Sequence, residues 1–342
     1  MSLMAKLKKN SKIKLTSQMD KSEFFQEKEV VQTDVPMMNV ALSGSLDGGI
    51  TSGLTVLAGP SKHFKTSFAL KMAAAYLNAK PDAVMLFYDS EFGSPQSYFD
   101  AFGIDTSRVL HVPIMDVEEL KFDLIAQLED MDKEDDVIIV IDSIGNLASK
   151  KELEDAKNEK SVADMSRAKA LKGLFRMTTP YLAMKNIPLL AINHTYKEIG
   201  LYPKDIVGGG TGIYYSANNI WIIGRRQNKT GTEVMGYDFV IKVEKSRFVK
   251  EQSKIPITVS WEGGIDEMSG LLDVAMASGD VVKPSNGWYQ KVGEEKKYRL
   301  ADLDRDFWAP ILAQESFQEY VTKAFSVGSE TVDLGIEVEG EQ

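Results

Sequence analysis

The eight residues Gly59, Pro60, Ser61, Lys62, His63, Phe64, Lys65 and Thr66 carry the clearest chemical signal in the chain. A glycine turn between a strand and a helix, closed by Lys and then Ser or Thr, presents backbone N–H groups to phosphates. The lysine neutralises the outer phosphates and the hydroxyl binds magnesium. Gly59, Lys65 and Thr66 occupy these places, and Ser67 continues into the helix. The second glycine of the usual pattern is Phe64. A side-chain-bearing residue costs about 1–2 kcal/mol in a left-handed backbone, so the loop is expected to take another conformation there. A lysine-rich solvent turn is the competing reading, and the strand-loop-helix context weighs against it.

Two acids belong with this loop. Asp142 closes the apolar run VIIVIDS, where an aspartate supports a magnesium shell. Glu91 closes VMLFYDSE, where a carboxylate can orient or deprotonate a water. Singly, each is an ordinary strand-end acid. Together, at the C-terminal ends of parallel strands, they converge on the crevice where such sheets bind ligands.

The elements that must position them alternate. LTVLAG (54–59), VMLFYDSE (84–91), RVLHVP (108–113), VIIVIDS (137–143) and PLLAINH (188–194) read as strands, and 66–80 and 117–131 as helices, with a helical stretch through Tyr98. That order predicts an α/β fold with a mainly parallel central sheet and helices on both faces. After Gly208, ANNIWIIGRRQ, YDFVIKVEKSRF and IPITVSWEGG read as successive strands, an antiparallel extension of the same sheet. Residues 1–30 form an amphipathic extension anchored by Phe24 and Phe25, 31–270 the core, and 271–342 a smaller helical region ending in a mobile tail.

Composition narrows the classes. The 342 residues include no cysteine and three histidines, which excludes a disulfide scaffold and disfavours a zinc site. No secretory signal or membrane-length apolar run is present, so a cytoplasmic protein without a membrane partner is expected. The net charge of −10 argues against nucleic acid only on average, because Lys6, Lys8, Lys9, Lys12 and Lys14 crowd the start while residues 326–342 carry only acids.

The order of these motifs resembles the RecA-type recombinases, and among them the branch found in T4-like bacteriophages, the UvsX recombinases. The likeness runs from about Phe24 through Gly287 and rests on VPMMNVALSG, LAGPSKHFKTSF, LFYDSEFG, IDSIGNLASKKELEDA, AINHTY, VGGGTG and VEKSR. Phe64 in place of glycine is itself shared with the phage branch. The resemblance implies a RecA-like ATPase core that uses ATP and Mg2+, with Lys65 and Thr66 on phosphate and magnesium, Asp142 supporting the metal and Glu91 as the catalytic carboxylate. It implies Tyr98 against the adenine, and His194 where bacterial RecA has a glutamine that senses the γ-phosphate. Lys245 and Arg247 match paired cations that reach the nucleotide of the adjacent protomer, with Arg247 departing from the lysine of RecA. Without the family, Lys245 and Arg247 read better as a solvated strand face, and Tyr98 and His194 as structural residues.

Residues 148–163 and 195–212 match the two DNA loops, expected to be mobile without DNA. Lys150, Lys151, Ile199 as a wedge between bases, and the amides of Gly208, Gly209 and Gly210 are the implied DNA contacts. EVVQTDVP is expected to donate an edge strand outward to a neighbour. The partners implied are single-stranded DNA, homologous duplex DNA, further copies in a helical filament, a phage recombination mediator and a single-strand-binding protein, in the cytoplasm of an infected host. A ring helicase shares the core but is expected to carry a sizeable N-terminal domain, and about 30 residues precede the core here. An assembly factor that binds nucleotide without hydrolysis is disfavoured by Glu91, Thr66 and Asp142 together.

Overall fold

The runs GLTVLA, VIIVID and PLLAIN become strands buried at every residue, the pattern of sheet positions covered on both faces. A computed structural model describes residues 2–22, 29–159, 165–198, 200, 203–230, 233–261 and 263–328. In chain order the elements are α1 (Leu3–Asn10), α2 (Pro36–Ser43), β1 (Gly53–Ala58), α3 (Lys65–Ala79), β2 (Val84–Asp89), α4 (Gln96–Ala101), β3 (Val109–Pro113), α5 (Val117–Asp130) and β4 (Val137–Asp142). They continue with α6 (Lys150–Lys157), α7 (Ser166–Met184), β5 (Pro188–Asn193), β6 (Thr195–Lys197), β7 (Asp205–Val207), α8 (Thr211–Ser216), β8 (Asn219–Thr230), β9 (Glu233–Ser246), β10 (Lys254–Ser260) and β11 (Gly264–Ile265). The last are α9 (Leu271–Ser278), β12 (Val281–Ser285), β13 (Trp288–Lys291), α10 (Arg305–Leu312) and α11 (Glu315–Phe325).

One sheet orders nine strands as β11-β10-β9-β8-β1-β5-β4-β2-β3. From β8 to β3 every pairing is parallel, and from β8 to β11 every pairing is antiparallel. The expected α/β architecture and its antiparallel extension are both present. Helices α3, α9, α10 and α11 bury one face of the sheet, around Phe68, Trp221 and Trp308. Helices α5 and α7 bury the other, around Leu124, Phe175 and Ile139. The ends of β1, β5, β4 and β2 therefore open side by side along one edge, where the nucleotide loop, His194, Asp142 and Glu91 stand.

Val31 exchanges backbone hydrogen bonds with Ile50 of the same chain, and Val31, Thr33 and Val35 are buried at alternate positions, so EVVQTDVP packs on its own core here, where an outward-donated edge strand was expected. Helix α1 buries no residue, leaving Leu3, Met4 and Leu7 exposed; Phe24 and Phe25 lie outside the described residues. Ser326 and Val327 are tied to Gly44 and Phe248, and 329–342 lie outside the described residues. Among the described residues no helix is long and apolar enough to cross a membrane.

Candidate nucleotide site

The turn after β1 begins at Gly59, where an added Cβ would stand 2.9 Å from the Ile223 carbonyl oxygen of β8. Only glycine permits that approach. Phe64 contradicts the sequence expectation: its φ is +59°, a left-handed conformation at the N-cap of α3. The reason is packing from distant strands. The Phe64 ring stacks on Phe239 of β9 at 5.2 Å and meets Phe68 edge-on at 5.9 Å. Such pairs contribute about 0.5–1.5 kcal/mol each beyond area burial, enough to offset the backbone cost.

Lys65 is buried, and its ammonium donates to the Pro60 carbonyl at 2.8 Å, closing the loop on itself. Burial pulls its pKa below the usual lysine value, against the opposing pull of Glu91 and Asp142. Burial likewise lowers the pKa of His63, whose Nδ1 lies 2.9 Å from the Ser61 carbonyl oxygen. Thr66 donates its hydroxyl to Asp142 Oδ2 at 2.8 Å. The other oxygen, Asp142 Oδ1, is buried without a hydrogen-bond partner among the described residues. An orphaned carboxylate oxygen beside a threonine hydroxyl is the donor set expected where a magnesium shell completes the coordination.

Burial raises the Asp142 pKa from 3.8 to about 6. The group therefore takes up a proton on folding between those values, and its charge costs the metal-free protein stability as pH rises through that window. The penalty is about 3 kcal/mol. Asp142→Asn keeps the acceptor for Thr66 and removes the charge. Calorimetry of the metal-free protein should show the variant melting several degrees above the parent at pH 8, with the gap about halved near pH 5 and closed only below about pH 4. Magnesium-dependent nucleotide binding should fall in the variant, and in the parent as pH drops below 6. A variant no more stable than the parent at pH 8 would contradict this reading of the group.

Strand β2 ends at Asp89, so Glu91 stands two residues beyond the strand on a turn, not at its last position. Its Oε1 accepts from Ser143 Oγ at 2.8 Å and Asn146 Nδ2 at 3.1 Å, with His194 Nε2 at 3.5 Å. His194 foremost holds the Glu91 pKa below the usual glutamate value, so the carboxylate is ionised at neutral pH. Asn146 bridges the pair, since its Oδ1 lies 3.2 Å from His194 Nε2. Gly145 makes room: a Cβ there would come within 2.3 Å of His194 Cδ2. Gly145→Ala should displace the imidazole and lower nucleotide turnover about tenfold, by the usual cost of small misplacements, in a protein of unchanged melting temperature.

These side chains line one cavity of about 650 Å³, from Ser61 to Thr66, with Glu91, Tyr98, Asp142 and His194. Tyr98 hydrogen-bonds Ser67 through its hydroxyl and meets Phe102 edge-on, so it is held at the wall. Arg225, Tyr237, Phe239 and Trp261 also line it, and none of them was singled out from sequence. Arg225 lies over the Tyr237 ring at 4.5 Å and donates to the Lys62 carbonyl at 3.1 Å, and Trp261 meets Tyr237 edge-on. The only sequence signal for this wall is the i, i+2 pair Tyr237 and Phe239, which also reads as ordinary strand core.

A model of the RecA N-terminal domain matches residues 4–266. The chain belongs to the RecA family. A second model, described as the C-terminal domain of the bacteriophage T4 recombination and repair protein, matches residues 268–321. The recombination and repair protein of Enterobacteria phage T4 is 49% identical over 338 residues, 96% of this chain and 86% of that protein. Protein RecA of Thermus aquaticus is 26% identical over 308 residues, 87% of each chain. Protein RecA of Salinispora tropica is 27% identical over 276 residues, 79% of this chain and 77% of that one. The resemblance to RecA-type recombinases and their phage branch is thereby borne out.

The remaining residues suggested by that RecA resemblance lie elsewhere. Lys245 donates to the carbonyls of Tyr214 and, at 2.8 Å, Ala217, at the end of α8, and Arg247 is exposed. Neither lines the cavity of its own chain. Residues expected as a mobile first loop include helix α6, fixed by a capping box in which Ser149 and Glu152 satisfy each other's backbone amides. Lys150 is exposed at its start, and Lys151 pairs with Asp155 at 2.6 Å. The second loop carries the β6–β7 hairpin, and Ile199 lies outside the described residues. The Gly208 amide donates to the His194 carbonyl at 3.0 Å, and Asn193 Nδ2 donates to the Gly208 carbonyl at 2.7 Å. In this conformation the Gly208 amide is engaged by the His194 backbone. Gly209 and Gly210, at φ +93° and +77°, turn the chain into α8.

Proposed function

We propose that this RecA-family chain is an ATP-dependent recombinase that polymerises on single-stranded DNA, pairs it with homologous duplex and exchanges strands. The observation that carries the ATPase part is the convergence of Lys65, Thr66, the orphaned Asp142 Oδ1 and the buttressed Glu91 on one cavity. Thr66 and Asp142 would hold magnesium, whose charge neutralises that developing on the phosphates. The loop amides and Lys65 bind the phosphates, while Tyr98 and the Tyr237–Trp261 wall receive the base. Among the described residues only Oε1 of Glu91 is engaged, so Oε2 takes the proton of the attacking water.

Coupling to DNA follows from the same contacts. The second loop grips the His194 carbonyl through Gly208, and the His194 ring faces Glu91 through Asn146. DNA that reorders the loop, through Ile199 and Gly208 to Gly210, alters the support of the catalytic carboxylate. The first loop contributes Lys150 and Lys151. Assembly is heterologous and open, giving a helical filament. Support comes from the outer edge of β3, which pairs with no strand among the described residues, from a groove of about 290 Å³ beside it, and from the exposed apolar residues of α1. Lys245 and Arg247 act on the neighbour's nucleotide. Phage mediator and single-strand-binding proteins in the host cytoplasm would be its working partners. Electron microscopy with single-stranded DNA and a non-hydrolysable ATP analogue should show regular helical filaments. Rings or unassembled monomers under those conditions would overturn the reading.

A further inference from the structure

Asp89 is buried at the end of β2, yet it has no part in the scheme above. A buried carboxylate is costly unless its oxygens are satisfied, and here both are engaged. Oδ1 accepts the backbone amides of Glu91 at 2.9 Å and Phe92 at 2.8 Å. Oδ2 lies 3.2 Å from His111 Nε2. The two amides belong to the turn that carries Glu91. Phe92 is left-handed in that turn, at φ +54°, a conformation that side-chain-bearing residues resist. Something must hold the turn against that preference, and the Asp89 carboxylate grips it at two successive amides.

His111 stands on β3, one strand farther out, with its ring stacked on Phe87 at 5.9 Å. It lines the small groove at the outer edge of the sheet together with Phe87 and Phe99, and so steadies Asp89 from the solvent side. From the β4 side, Ser90 Oγ donates to the Ser143 carbonyl at 2.7 Å and accepts the Ser143 amide at 3.0 Å. Ser143 in turn donates to Glu91. The Glu91 turn is thus fixed at its amides by Asp89 and at its carboxylate by β4.

We propose that Asp89 is a positioning residue for Glu91, supported by His111, and that it acts through the geometry of the turn and not through its own charge. This rests on the reading of Glu91 as the carboxylate that takes the water's proton. The distinction can be measured, because asparagine keeps an oxygen for the two amides and loses the charge. Asp89→Asn should keep DNA-stimulated ATP turnover within about threefold of the parent. Asp89→Ala should lower kcat about tenfold or more with the KM for ATP within about twofold, as expected when a catalytic group is misplaced without loss of substrate contacts. His111→Ala should lower kcat about threefold, and His111→Gln should restore it. In a Glu91→Gln background Asp89→Ala should add no further loss, because the two act as one unit.

Equal losses in Asp89→Asn and Asp89→Ala would show that charge matters and overturn the proposal. So would an Asp89→Ala protein with parental kcat. If Asp89→Ala does not fold, the exposed His111 pair and Asp89→Asn decide the matter, and a parental kcat in His111→Ala counts against the proposal. Glu91→Gln measured alone separates the two ideas. Parental turnover there removes the role given to Glu91, whereas full loss there with no effect at Asp89 or His111 removes only the positioning role.

Discussion

Glu91→Gln should lower ATP turnover on single-stranded DNA by about two orders of magnitude or more, about 3 kcal/mol in the barrier, while nucleotide still binds. The amide keeps an oxygen for Ser143 and Asn146, so the buttress survives. What disappears is the ionised acceptor that takes a proton from water. Because His194 holds the Glu91 pKa below the usual value, this acceptor is charged throughout the neutral range, and acid loss of activity begins at Asp142, near pH 6. Added magnesium should move that acid limb to lower pH, since the metal favours the Asp142 carboxylate over its protonated form. On the proposed reading, in which hydrolysis loosens the filament, the variant should also hold DNA for longer. Rapid-quench turnover and a fluorescent nucleotide titration check both halves. Unchanged turnover would remove Glu91 from the mechanism.

Removing Arg247 should have a comparable effect, about a hundredfold or more on turnover, the scale of a cation supplied in trans. Arg247 is exposed and lines no part of its own chain's cavity, so a cis role offers no account of such a loss. Lys245 is the less clean probe, because it also holds two carbonyls at the end of α8 and its loss destabilises that end. Mixing decides between cis and trans action. Arg247→Ala subunits retain an intact phosphate loop, and Glu91→Gln subunits retain intact cations. In a random equal mixture about a quarter of head-to-tail interfaces unite both good halves, so about a quarter of parental turnover should return. No recovery in mixed filaments would place the defect within one chain.

How much of this was legible in the sequence depends on how local each feature is. The central strands announced themselves as unbroken apolar runs, and the phosphate loop, Asp142 and Glu91 lie at strand ends that such runs define. Helix α7 was passed over because Gly173, the pair Thr178 and Thr179, and Pro180 interrupt its pattern. In the folded chain both threonine hydroxyls donate to carbonyls one turn back. Helix α6 had a readable signal in Ser149 and Glu152, which was outweighed by the polar composition expected of a DNA loop. Other features needed the third dimension. The left-handed Phe64 is stabilised by Phe239, which arrives from β9. Asn146 joins Glu91 to His194 only because β4 and β5 are neighbours. Arg225 and Trp261 reach the cavity from β8 and from just beyond β10.

The central claim is that this cavity drives homologous pairing by a filament whose subunits share their nucleotide sites. A joint-molecule assay tests it most directly: single-stranded DNA, supercoiled duplex, ATP and magnesium, with the parent and Arg247→Ala proteins side by side. The account predicts D-loops that require both sequence homology and ATP, formed by the parent and lost in the variant. DNA-stimulated ATP hydrolysis by the parent without any homology-dependent joint molecules would contradict it.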